Sequence, residues 1–295
     1  MRIESIHLQN YRVHRDLTVN FDPHFNVIVG LNGSGKTSLL RAVCDSVSWV
    51  AQPSRTWRPP LEEGVAREVI RVESGRYRFE SNWPVSVEVA TTIDGVARTW
   101  KLIREGLSEN LLYTGPTQHA GATKPVLAFY GASRYWQHAV VTEFAAATQK
   151  ESVQNAYQQW SDASLDASAL ISWAIAKTLQ RLELSSETGE LFDQIKGDEL
   201  ELVNGALGAA MEGAKGIRFD LKQKCLLIEW LPLDRKSPVS TRFENLSDGQ
   251  RAIVCMISDI ARRMCLLNPH LGEKVTLETP GIVLINELDF HLHPH

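Results

Sequence analysis

The sequence predicts an α/β protein: a mixed sheet with flanking helices, a β-rich flap and an inserted helical subdomain. Three observations carry this prediction. The apolar run Phe25-Asn26-Val27-Ile28-Val29 leads into Gly30-Leu31-Asn32-Gly33-Ser34-Gly35-Lys36-Thr37 and out through Ser38-Leu39-Leu40-Arg41-Ala42-Val43, the pattern of strand, glycine loop and helix. Residues 69–103 alternate or run β-branched, whereas residues 139–213 take a helical period. A second apolar run, Gly281-Ile282-Val283-Leu284-Ile285, reads as a buried strand closed by Asn286-Glu287.

In chain order, residues 2–9 and 17–21 read as strands separated by a polar stretch, and with 25–29 they would start a sheet that feeds the glycine loop. After the first helix, Gln52-Pro53 and Arg58-Pro59-Pro60 break regular structure. Residues 69–73, 76–80, 85–91 and 97–103 read as the strands of the flap, with Asp94-Gly95 a strong hairpin signal. Residues 106–124 read as a loop and 125–130 as a buried strand. Trp160, Leu170, Trp173, Leu179 and Leu191 mark the helical insert, whose period is too irregular for a long coiled coil. Strands follow at 217–220 and 225–231, and Ser247 or Asp248 caps a helix with Ile253, Val254, Met256, Ile257 and Ile260 on its apolar side. The expected division is 1–135 and 214–295 as two parts of one head, with 136–213 inserted between them.

Composition narrows the classes. The 31 Lys+Arg against 35 Asp+Glu give a net charge of −4, so nothing global favours nucleic acid or a membrane surface. No apolar run is long enough to span a bilayer, and Met1-Arg2-Ile3-Glu4-Ser5 lacks a signal peptide's apolar centre. Four cysteines without C-x-x-C spacing read as reduced thiols and a cytoplasmic setting.

The glycine loop fits G-x-x-x-x-G-K-[ST], which cradles nucleotide phosphates. Glycines allow positive φ, so that successive N–H groups turn inward toward phosphate oxygens, and the following helix adds unpaired N–H groups with a partial positive charge. The nucleotide-binding set is therefore Gly30, Asn32, Gly33, Ser34, Gly35, Lys36, Thr37 and Ser38. Lys36 reaches the β- and γ-phosphates, and the Thr37 hydroxyl is placed to ligate Mg²⁺ together with Asn286. Glu287, at the end of its strand, is the candidate general base or water-orienting residue.

The order of phosphate loop, Leu246-Ser247-Asp248-Gly249-Gln250 and apolar strand plus glutamate resembles the ABC-type P-loop ATPase heads of SMC, RecF and OLD-like proteins. Further blocks narrow the resemblance: Ala128-Phe129-Tyr130-Gly131-Ala132-Ser133-Arg134-Tyr135-Trp136, Ser258-Asp259-Ile260-Ala261-Arg262-Arg263-Met264 and Thr279-Pro280-Gly281. Together they are similar to the AAA-type ATPases of bacterial antiphage systems, the Septu ATPase PtuA and the retron-associated ATPases. The resemblance implies ATP and Mg²⁺ as ligands and ATP hydrolysis as the activity. It implies a homodimer or higher oligomer in which Ser247, Asp248, Gly249 and Gln250 of one copy close over the nucleotide of another. It also implies an HNH nuclease subunit as partner and, in retron versions, a reverse transcriptase with its DNA–RNA product. Arg12 matches a basic residue near the nucleotide, Arg134 and Gln137 fall near the Q-loop, and Asp289 falls in a loop crossing the dimer interface.

Two departures stand out. The family usually has Asp at the position of Asn286, so weaker Mg²⁺ binding and slow turnover are expected. The chain stops at His291-Leu292-His293-Pro294-His295, where related heads continue to a switch histidine, which reads as a fragment or a head completed by something else. The alternative function is a DNA-repair or chromosome-maintenance head that clamps DNA directly, with Arg12/Arg15, Arg55/Arg58, Arg76/Arg78 and Arg262/Arg263 as a basic track. A transporter-type ATPase is a third reading, opposed by the Leu8-Gln9-Asn10-Tyr11-Arg12 block.

Overall fold

A computed structural model describes residues 1–52, 57, 60–73, 75–107, 111–116, 121–131, 153–162, 167–231 and 239–287. The chain packs as two compact units, one of residues 1–127 with 280–286 and the other of 128–279 with 287–295.

The first unit is built on a five-stranded sheet in the order β2-β1-β5-β6-β7. Its strands are β1 (Arg2–Tyr11), β2 (His14–Asn20), β5 (Val85–Ile93), β6 (Val96–Arg104) and β7 (Leu111–Thr114). All neighbours run antiparallel. The β5–β6 hairpin turns at Asp94 and Gly95, both at positive φ (49° and 78°), the two-residue turn that the Asp-Gly pair specifies. A separate hairpin joins β3 (Arg67–Glu73) to β4 (Arg76–Asn82). The N-terminal hairpin therefore shares one sheet with two of the four expected flap strands, β5 and β6, and β7 lies in what read as a loop.

Helix α1 (Lys36–Val47) buries Leu39, Ala42, Val43 and Val47 within this unit. Trp100 of β6 donates its indole N–H to the Ser46 carbonyl (3.0 Å) and meets Trp49 edge-on, ring centroids 5.6 Å apart. Such an edge-to-face pair adds about 1 kcal/mol to the area it buries.

The expected strand at 25–29 does not form. Phe25, Val27, Val29 and Leu31 are 72%, 71%, 87% and 85% exposed. A local cause is visible. The Asp22–Asn26 segment closes on itself: Asn26 Oδ1 accepts from the Asp22 N–H (2.8 Å), Asn26 Nδ2 donates to the Asp22 carbonyl (2.9 Å), and Asp22 Oδ1 accepts from the His24 N–H (3.0 Å). These local side-chain bonds compete with extension into a ladder.

Strands β8 (Val126–Tyr130) and β12 (Gly281–Ile285) form a two-stranded sheet, with the Val126 N–H donating to the Pro280 carbonyl at 2.8 Å. The second unit holds the helices α2 (Ala167–Thr188), α3 (Glu199–Ala210) and α4 (Asp248–Leu267). Beside them lies a sheet in the order β11-β10-β9, of β9 (Ala214–Asp220), β10 (Cys225–Trp230) and β11 (Val239–Arg242). Asn204 of α3 pairs with the backbone of Ile217, accepting at 2.8 Å and donating at 3.2 Å, and so locks α3 to β9. Lys177 faces Glu199 and Arg181 clasps Asp198, tying α2 to the start of α3. All four cysteines are buried and outside any disulfide. Among the described residues, no helix is long and apolar enough to cross a membrane.

Candidate nucleotide-binding site

The phosphate loop runs from Gly30 into the first turn of α1. Gly33 (φ 80°) and Gly35 (φ 95°) take the left-handed conformations that the motif demands. Gly35 is the N-cap of α1 and no side chain caps the helix there, which leaves the first-turn N–H groups to an anion. Lys36 arches back over the loop, its Nζ donating to the carbonyls of Gly30 (2.6 Å) and Leu31 (2.8 Å). An ammonium held on neutral carbonyls gains a charge-assisted partner when a phosphate enters.

Thr37 Oγ1 donates to Asn286 Oδ1 at 3.4 Å, so the helix start and the end of β12 meet although 249 residues separate them in sequence. Asn286 is buried and Glu287, the next residue, is exposed with a left-handed φ of 56°. The strand before them, expected to be buried, is exposed or half-buried along its length, and only Asn286 at its end is buried. A left-handed non-glycine residue at such a strand end is a feature of functional sites. Two oxygens, a hydroxyl and an amide carbonyl, suit a hard cation that keeps most of its water. Neither brings negative charge.

Arg12 is exposed at a left-handed φ of 50°, and its N–H donates to the Val65 carbonyl at 2.6 Å. Its neighbour Tyr11 is buried, and the phenol donates to Asp45 Oδ2 on α1 at 2.8 Å. Burial pushes Asp45 up to about 6, against the pull of the Tyr11 hydrogen bond and of Arg41 and Arg12. Sequence reasoning passed over Tyr11, His14 and Asp45. The signal available was Asp45 itself, a carboxylate in the apolar run Ala42-Val43-Cys44-Asp45 on a helix whose other face is polar.

In the second unit, α4 opens with a capping box. Ser247 Oγ accepts from the Gln250 N–H (3.3 Å), and Gln250 Oε1 accepts from the Ser247 N–H (3.1 Å). Ser247 and Asp248 are exposed, Gln250 is half-buried and Gly249 is buried. Asp248 pairs with Arg251. Further along α4, Asp259 accepts from Tyr130 (2.9 Å), Arg263 (2.8 Å) and Arg262 (3.2 Å), while Arg263 also reaches the carbonyls of Ala156 (2.6 Å) and Gln158 (3.1 Å). Arg262 and Arg263 are thus structural ion pairs inside this unit, and they do not belong to an exposed basic track. Arg134, Gln137 and Asp289 lie outside the described residues.

The mixed α/β architecture and this loop define a P-loop nucleotide-binding protein. The chain belongs to the AAA domain family, which residues 5–201 match. It is 25% identical to the Retron Ec83 probable ATPase of Escherichia coli, over 100% of this chain and 64% of that protein. It is 52% identical to the Retron Vc95 probable ATPase of Vibrio cholerae serotype O1 biovar El Tor across 50 residues, 17% of this chain and 9% of that one. Structural maintenance of chromosomes protein 6 of Schizosaccharomyces pombe is 34% identical over 36% of this chain and 9% of its own. Among solved structures, the SMC head domain from Thermotoga maritima aligns over 98% of this chain and 91% of its own with a TM-score of 0.46 and 13% identity. The chain therefore spans less than two thirds of the length of these curated relatives.

Proposed function

We propose that the chain is the ATP-binding and ATP-hydrolysing head of a retron- or Septu-type defence ATPase. The observation that carries this reading is the meeting of Thr37 with Asn286 at the mouth of a phosphate loop whose helix start is uncapped. The similarity to a retron ATPase along the whole chain supports the same reading.

In this mechanism the inward N–H groups of residues 30–37 and the Lys36 ammonium hold the triphosphate. Arg12 adds a cation beside it. Thr37 and Asn286 would hold Mg²⁺, which when bound neutralises phosphate charge. Glu287 orients the attacking water and takes its proton. Ser247, Gly249 and Gln250 of a second copy close over the γ-phosphate. The reading places the effector chemistry in other chains, an HNH nuclease subunit and a reverse transcriptase with its DNA–RNA product, whose co-purification with this protein tests that part.

The core of the reading is tested on the purified protein. With Mg²⁺, the wild type binds and hydrolyses ATP; Lys36→Ala lowers ATP affinity by more than tenfold, and Glu287→Gln keeps binding while turnover falls about a hundredfold or more. Asn286→Asp restores a charged Mg²⁺ ligand, so its half-maximal Mg²⁺ concentration drops severalfold and hydrolysis speeds up. Equal rates and Mg²⁺ requirements for the wild type and Asn286→Asp would reject the account of Asn286.

A further inference from the structure

The turn between β1 and β2 lies against the last glycine of the phosphate loop. His14 Nε2 is 3.1 Å from the Gly35 carbonyl oxygen, which also accepts the Leu39 N–H at 2.9 Å. A carbonyl is a pure acceptor, so the imidazole must present its Nε2–H there, and both lone pairs of the oxygen are engaged. The packing is equally close: a Cβ at Gly35 would sit 2.5 Å from His14 Cε1 and Nε2 and 2.5 Å from Val13 Cγ2.

We propose that His14 is a positioning residue for nucleotide binding, its Nε2–H clamping the Gly35 carbonyl so that the phosphate loop keeps its inward-facing form. The inference rests on the nucleotide-binding reading above. In a trans peptide the C=O and N–H point in opposite directions. Fixing the Gly35 oxygen toward His14 and the helix therefore turns the Lys36 N–H back into the loop, where a phosphate oxygen would lie. The clamp also joins two parts of the site. His14 is two residues from Arg12, and the base of the same turn is fixed to α1 by Tyr11 on Asp45 and to residue 65 by the Arg12 N–H. Gly35 and Asp45 are about 15 Å apart along the helix axis at the α-helical rise. The turn is thus pinned to α1 at both ends, and Arg12 moves with the loop.

The test separates the hydrogen bond from the packing. His14→Phe keeps a ring against Gly35 and loses the donor; His14→Gln loses the ring and keeps an N–H donor at similar reach; His14→Leu is a second donor-less variant of smaller bulk. Affinity for Mg²⁺-ATP is read with a fluorescent ATP analogue, melting temperature is recorded beside it, and Lys36→Ala serves as the control. The expected result is affinity roughly fivefold weaker in His14→Phe and His14→Leu, within about twofold of wild type in His14→Gln, at similar melting temperatures. Wild-type affinity in a folded donor-less variant, or a loss in His14→Gln as large as theirs, overturns the proposal. Failure of the wild type itself to bind ATP would instead sink the nucleotide-binding reading.

Discussion

Asp45 is a carboxyl group placed where the chain has little use for charge. It sits on the buried side of α1, 7% exposed, with the Tyr11 phenol as its hydrogen-bond donor. Burial, outweighing Tyr11, Arg41 and Arg12, raises it to about 6, above the value of about 3.9 for an unfolded chain. The folded state then holds the proton more tightly than the unfolded one. Stability from this group is full below about pH 4 and is lost as pH rises through 6, by about 3 kcal/mol at most. Asp45→Asn keeps an acceptor for Tyr11 and removes the titration. Urea unfolding is expected to show the variant equal to wild type near pH 3.5 and more stable by about 1–3 kcal/mol at pH 7.5. Parallel pH profiles would show that Asp45 ionises at no cost. Residues of this kind are only half legible in sequence: spacing tells that Asp45 falls among apolar neighbours, but its partner Tyr11 lies on another element, 34 residues away.

Elements were legible where the local signal and the long-range partner agreed. The Asp94-Gly95 turn, the Ser247 cap and the apolar run of β8 each specify their structure within a few residues, and each forms. The run at 25–29 has strand composition, yet its form depends on what Asp22 and Asn26 do to each other, and no periodicity reports that. The same holds for α4. Its capping box is written in Ser247 and Gln250, but the burial of Arg263 against Asp259 is not. Burial alone would raise Asp259; the charges of Arg263 and then Arg262, with hydrogen bonds from Arg263 and Tyr130, outweigh it and hold the carboxyl below the usual range. Its stabilisation is therefore present at neutral pH and lost in acid. Asp259→Ala leaves Arg263, 4% exposed, without its counter-charge. A loss of about 3–5 kcal/mol is expected in chemical denaturation at pH 7. A cost below 1 kcal/mol would mean that the Ala156 and Gln158 carbonyls suffice.

At the scale of the whole molecule, the two compact units carry different motifs. The phosphate loop, Thr37 and Asn286 belong to one, and the Ser247–Gln250 helix start belongs to the other. Ser247 is exposed at the start of α4, and in the proposed sandwich the anion it meets is the γ-phosphate held by a second copy. The hydrolysis-slowed Glu287→Gln protein should therefore be monomeric without nucleotide and dimeric with Mg²⁺-ATP, as read by light scattering after gel filtration. Ser247→Asp provides the sharper test. Aspartate is as good an N-cap as serine, so α4 and the fold persist. Its carboxylate would face the γ-phosphate, and like charges at that distance repel strongly in a site that excludes water. In the Glu287→Gln background, Ser247→Asp should keep the ATP affinity of the single copy, which the phosphate loop sets, and lose the ATP-driven dimer. An undiminished dimer would place some other surface across the nucleotide. Loss of ATP affinity in the monomer would place Ser247 beside the nucleotide of its own chain.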